Sequence, residues 1–235
     1  MLKLIRLEWK KNHIAKYIRY AVILAVAMGV FLFAFAFLGI ARDPDTGVPD
    51  VAAGNNSMAV PIEMFSSIAY LIFTSGMLAT FIVSAYKNKT MNLMFTYPIK
   101  RQRILISQML SVWMFCFAAL VLTKLALYGC IQVGSMSMAS DFPIDFDMAS
   151  AAFYIQLLLK SVVTVSVSFI ALFIGLAMKS SKATIISSFL LIFLLQGSIG
   201  DFSASDNALF PAALIAISLI CAFLSIRNVE RKDLM

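Results

Sequence analysis

The chain has 235 residues, 61% of them hydrophobic and 13% charged, with a net charge of +7 and a mean hydropathy of +0.91. A water-soluble domain is about 45–50% apolar and about 25% charged, so this composition excludes a globule that hides its apolar side chains from water. It predicts an all-α polytopic membrane protein with one transmembrane domain over 1–235. The positive charge does not call for a nucleic-acid partner, because cytoplasmic loops of membrane proteins collect Lys and Arg.

The first 19 residues carry Lys3, Arg6, Lys10, Lys11, Lys16 and Arg19 against one acid, Glu8. Leu2, Ile5 and Trp9 fall on one helical face, and Leu4, Leu7 and Ile14 on another. Two apolar stripes in a basic segment predict an interfacial helix over 1–19, with Trp9 at headgroup depth. His13 reads as a polar residue of that segment. No cleavable signal peptide is evident, and the apolar run that follows is long enough to remain as a helix.

Six apolar runs suit helices that cross a hydrocarbon core about 30 Å thick, which takes about 20 residues each. They lie near 20–40, 62–86, 104–131, 152–178, 183–200 and 208–226. Met178 to Lys182 alone separates the fourth from the fifth, which predicts a tight helical hairpin. Pro211 suits the first turn of the sixth. Gln196 to Pro211 is a polar, Gly-containing stretch that reads as an outer loop or a short re-entrant element.

Loop charges set the orientation. The N-terminal segment, Lys87 to Arg103, Lys179 to Lys182 and the tail hold 16 of the 19 basic residues. The other loops hold Asp43, Asp45, Asp50, Asp141, Asp145, Asp147, Asp201 and Asp206, with Arg42 as their basic residue. This alternation predicts a multi-pass protein with both termini in the cytoplasm; its expected place is the cell membrane of a bacterium.

No phosphate-loop, HExxH or GxSxG motif is present, so no catalytic, cofactor-binding or metal residue is assigned. The acids of SDFPIDFD lack the glycine and terminal glutamate of an EF-hand. Cys116, Cys130 and Cys221, without CxxC spacing, read as small buried hydrophobes. Lys124 lies about 30 Å into its helix, where it is expected to snorkel to the far headgroups. Lys160 is deeper and one turn from Gln156; it reads either as part of a substrate path or an ion pair, for which Glu63 is the candidate partner, or as a snorkelling side chain or one nearer a helix start than the run suggests. Ser161, Thr164, Ser166, Ser168, Gly175, Ser187 and Ser188 are the small residues that let membrane helices approach closely.

The loop Lys87 to Arg103 combines five basic residues and no acid with an apolar cluster, Met91, Leu93, Met94 and Phe95. That mixture suits a docking surface for a soluble partner. Met91, Met94 and Phe95 share one face at helical spacing, Tyr97 is pushed out of the helical region by Pro98, and Lys100, Arg101 and Arg103 stand at the headgroups. Thr90, Leu93, Tyr97, Pro98, Ile99 and Arg101, followed by Ile104 and Leu105, resemble the second cytoplasmic loop of the type-two ATP-binding-cassette (ABC) permeases. The layout resembles that family along the whole chain. Lys87 and Lys89 depart from it, standing where a glutamate and a glycine are common.

The resemblance implies the permease subunit of a small six-span ABC exporter. The loop would form a coupling helix through Thr90, Met91, Leu93, Met94, Phe95, Tyr97 and Pro98, docked on a separate ATPase subunit. ATP and magnesium would bind that partner, and this chain would not be an enzyme. It would pair with a second copy or a paralogue and export a hydrophobic or amphipathic cargo such as a peptide, an antimicrobial compound or a lipid. A membrane anchor for a soluble partner that transports nothing is the alternative. A secondary transporter is disfavoured, because the spans lack acids at depth and no internal repeat is visible.

Overall fold

In a computed structural model, described for residues 2–37, 58–87, 101–137, 148–196 and 209–231, all regular structure is helical. The elements are α1 (Leu2–Lys11), α2 (Ile14–Phe37), α3 (Ala59–Leu78), a π-helical segment (Ala79–Val83), α4 (Ser84–Lys87), α5 (Arg101–Ser137), α6 (Ala151–Ala177), α7 (Ser181–Gln196) and α8 (Leu209–Arg231). The expected coupling helix, Thr90 to Pro98, and the acidic loop residues Asp141, Asp145 and Asp147 lie outside the described residues.

The N-terminal helix is shorter than the sequence suggests. His13 adopts φ 49°, a left-handed conformation that short polar and His residues tolerate better than most. Its amide bonds Lys10 O at 3.3 Å. The chain turns there, so residues 14–19 belong to α2 and not to α1.

Among the described residues, four helical stretches are long and apolar enough to cross a membrane: Ile14–Phe35, Ala59–Val83, Gln102–Gly134 and Ala151–Ala177. The last two expected spans contain shorter apolar helices, Ser181–Phe193 and Pro211–Arg227. The whole of α7 has 16 residues, about 24 Å at 1.5 Å per residue, less than a hydrocarbon core. Pro61 and Pro211 both stand in first turns, where a missing amide costs no intrahelical bond.

α3 and α4 are one helix interrupted by the π segment. The Thr80 hydroxyl donates to Gly76 O at 3.1 Å and Met77 O at 3.0 Å, occupying carbonyls where the regular ladder changes step. The expected hairpin is present between α6 and α7. Ser180 N bonds Gly175 O at 3.1 Å and Lys179 N bonds Leu176 O at 3.3 Å. With Lys179 at φ 48°, these two bonds make a Schellman termination.

The helices form two compact units. One comprises Ala15–Ala69 and Ala118–Leu159; the other comprises Met1–Ile14, Tyr70–Phe117 and Lys160–Met235. The core of the first joins Leu32, Met58, Ile62, Leu127, Tyr128, Ile131 and Leu157, with Phe65 edge-on to Phe31 at 5.0 Å. The core of the second joins Leu71, Val163, Val167, Ala171, Leu191 and Leu214. There the small residues singled out in the sequence are buried. Hydroxyls of Thr164, Ser168, Ser187 and Ser188 bond carbonyls three or four residues back on their own helices. Burial of such polar groups is then tolerable, and they serve packing. Of the cysteines only Cys116 is buried; Cys130 is exposed and Cys221 half-buried, so the expectation of three buried thiols fails for two.

Candidate functional site

Two polar clusters stand out in otherwise apolar surroundings, one in each unit. The first seats α1. Its ten residues put Ile5 and Glu8 one turn apart on a single face, and Asn12 follows in the turn that ends the helix. Ile5 and Glu8 are buried, whereas Leu7 is 62% exposed. Of the two apolar stripes, the one with Ile5 and Trp9 meets protein and the one with Leu7 faces outward. The Trp9 indole donates to Ser111 O on α5 at 3.2 Å. The Gln108 amide, one turn earlier on α5, donates to Glu8 Oε1 at 3.4 Å. Asn12 Nδ2 donates to Glu8 Oε2 at 3.3 Å, and Lys11 Nζ stands 3.9 Å from the same oxygen. A carboxylate is costly to bury unless its oxygens are occupied, and here both are. Trp9 was expected to lie against headgroups. It is half-buried against α5, where its indole N–H finds a carbonyl.

The second cluster lies among α3, α5 and α6. Lys124 Nζ is 2.6 Å from Glu63 Oε2, and the Tyr128 hydroxyl donates to Glu63 Oε1 at 3.3 Å. Lys124 and Tyr128 are four residues apart and so share a face of α5. Phe153 of α6 packs edge-on against Tyr128 with ring centroids 4.9 Å apart. The Lys124 side chain is 0% exposed and that of Glu63 15%. Snorkelling, expected for Lys124, is overturned: its side chain is enclosed by protein and its ammonium has a carboxylate within reach.

Glu63 therefore pairs with Lys124 and not with the expected Lys160. Lys160 and Gln156 are both exposed on α6. Arg103, expected at the headgroups, is exposed near the start of α5, and Arg101 opens that helix. Of the proposed docking residues, Thr90, Met91, Leu93, Met94, Phe95, Tyr97 and Pro98, and of the anchor, Lys100, all lie outside the described residues. Among the described residues no group of three or more His, Cys, Asp or Glu is placed to hold a metal ion.

A depth argument finds the Glu63 partner. Lys124 is 21 residues past Arg103 along α5, about 32 Å, which is one hydrocarbon thickness. Glu63 is the fifth residue of α3, and residues 88–100 of the sequence join α4 to α5. The two groups thus stand at matching depth on antiparallel helices, whereas Lys160 is deeper. The Glu8–Gln108 contact has no comparable signal, since nothing in the heptad of α1 names the helix it meets.

No family model matches the chain, and no solved structure matches it. A protein of Bacillus subtilis (strain 168) described as "Uncharacterized protein YcbO" is 25% identical over 233 residues, spanning 99% of this chain and 100% of that one. The matched stretch spans nearly the whole chain, and that relative's printed name carries no activity.

Proposed function

We propose that this chain is the permease subunit of an ABC exporter, with six spans made by α2, α3–α4, α5, α6, α7 and α8 and both termini in the cytoplasm. A separate ATPase subunit, binding ATP and magnesium, docks on the loop between α4 and α5. Two permease chains enclose a path for a hydrophobic or amphipathic cargo.

The observation that supports this best is the seat of α1 on α5. Glu8 and Trp9 bond Gln108 and Ser111, within three turns of Arg101. A basic interfacial helix is thus tied to the helix that opens directly after the proposed docking loop. A displacement of that loop would reach α1 through hydrogen bonds and not through lipid.

Purification from native membranes tests the proposal. The tagged chain should carry an ATPase subunit and ATP hydrolysis, and both should be lost from Met91→Asp and Phe95→Asp variants that still insert and fold. A wild-type preparation without any ATPase, or a complex left intact by both substitutions, would sink it; the former result favours the plain membrane anchor.

A further inference from the structure

The start of α2 carries a face that neither polar cluster uses. Lys16, Arg19, Tyr20 and Ile23 line an open hollow of about 310 Å³. They stand at i, i+3, i+4 and i+7 and so form one stripe. Lys16 and Arg19 are exposed, Tyr20 is 57% and Ile23 64% exposed, and among the described residues neither cation is in an ion pair. Tyr17 packs edge-on against Tyr20 at 6.2 Å and 88°, which restricts the Tyr20 ring.

The order of these groups along the helix is informative. From Lys16 to Ile23 the axis advances about 10 Å, somewhat more than the headgroup layer, which is about 6 Å deep on each side. Cations come first, an amphipathic ring follows one turn on, and a branched aliphatic side chain lies inside the charge-free run that continues to Phe37. A phospholipid presents the same sequence of chemistry: phosphate, glycerol, acyl chain. A soluble anion matches the first two residues only.

We propose that this stripe binds an anionic phospholipid, with Lys16 and Arg19 holding the phosphate, Tyr20 at the glycerol level and Ile23 along the acyl chain. Two basic groups near a membrane surface each contribute roughly fivefold to the binding of an anionic lipid, so the pair accounts for about 30-fold. Tyr is favoured at this depth because its ring is apolar and its hydroxyl wet.

The test uses the purified full-length chain in a neutral detergent, titrated with phosphatidylglycerol or phosphatidylcholine of the same chain length and read by native mass spectrometry. Phosphatidylglycerol should bind in clear preference, Lys16→Gln/Arg19→Gln should weaken it about 30-fold, and Ile23→Asn should weaken both lipids. Lys179→Gln/Lys182→Gln, which removes two exposed cations elsewhere, should leave binding unchanged, and millimolar inorganic phosphate should not compete. Unchanged binding in the Lys16/Arg19 variant, an equal loss in the Lys179/Lys182 variant, or displacement by inorganic phosphate alone would overturn the proposal. No ATPase enters this experiment, so its outcome is separate from that of the complex purification.

Discussion

Lys124 and Glu63, 61 residues apart in sequence, meet at 2.6 Å inside an apolar unit, with the lysine side chain wholly buried. Tyr128 supplies a further donor to the other carboxylate oxygen. The arrangement joins α3 to α5 by charge at a place where Leu127, Ile131 and Leu157 supply only dispersion. Desolvating two ions opposes their attraction, so a pair of this kind adds little net stability while making its own disruption expensive.

A double-mutant cycle follows from that asymmetry. Lys124→Met leaves Glu63 without its cation and should cost about 3–5 kcal/mol. Glu63→Gln/Lys124→Met, which removes both charges, should recover most of that loss. Unfolding by sodium dodecyl sulfate in mixed micelles measures both. Additive losses would show that the two residues do not act as a pair. Tyr128→Phe, which deletes one neutral donor to a carboxylate, should cost about 1.5–3 kcal/mol.

The seat of α1 makes a second prediction. Trp9→Phe removes the N–H that reaches Ser111 O and keeps an aromatic ring. Loss of one hydrogen bond worth about 1 kcal/mol should raise the undocked population of α1 about fivefold. Limited trypsin digestion at the exposed Arg6 and Lys10 should accelerate accordingly. Glu8→Ala should accelerate it further, because the Gln108 amide then loses its acceptor. An unchanged cleavage rate in both variants would mean that α1 is held by other contacts.

Gly175 is a site of close approach between α6 and α7. A Cβ there would overlap Thr184 Oγ1 and lie 2.9 Å from Thr184 Cβ. Gly175→Ala should therefore destabilise the chain by about 1–3 kcal/mol, the usual cost of overpacking. Thr184→Ala in the same chain removes the oxygen and should restore part of the loss. A stable Gly175→Ala variant would contradict this packing.

The hairpin termination gives a prediction of opposite sign. Lys179 holds φ 48° at the position where a Schellman motif favours glycine. Lys179→Gly should stabilise the chain by about 0.5–1 kcal/mol and so raise the unfolding midpoint, whereas the β-branched Lys179→Val should lower it. Equal midpoints for Gly and Val would show that the left-handed conformation is not maintained.

Much of the helical layout is legible in the residues themselves. Charge-free runs such as the one inside α2 have no other stable form in an apolar solvent, since every backbone amide must bond within its own segment. The break between α6 and α7 is legible because MKSSK interrupts two such runs. The end of α1 is less so. Leu2, Ile5 and Trp9 continue a helical stripe toward residue 19, and only the left-handed His13 stops it. The candidate sites follow the same division. Glu63 and Lys124 are each conspicuous as charges among hydrophobes, but their pairing emerges only when depth is compared across two helices.

The sequence by itself determined that this protein is built of apolar helices, where they are interrupted, and which side chains at their ends are charged, because those properties depend on composition and local period. The tertiary structure alone decided which helix each face meets. It turned Glu63 to Lys124, Glu8 to Gln108 and Gly175 to Thr184. Periodicity states the height of a residue along its axis, whereas partner choice depends on rotation about that axis and on the neighbour that packing brings alongside.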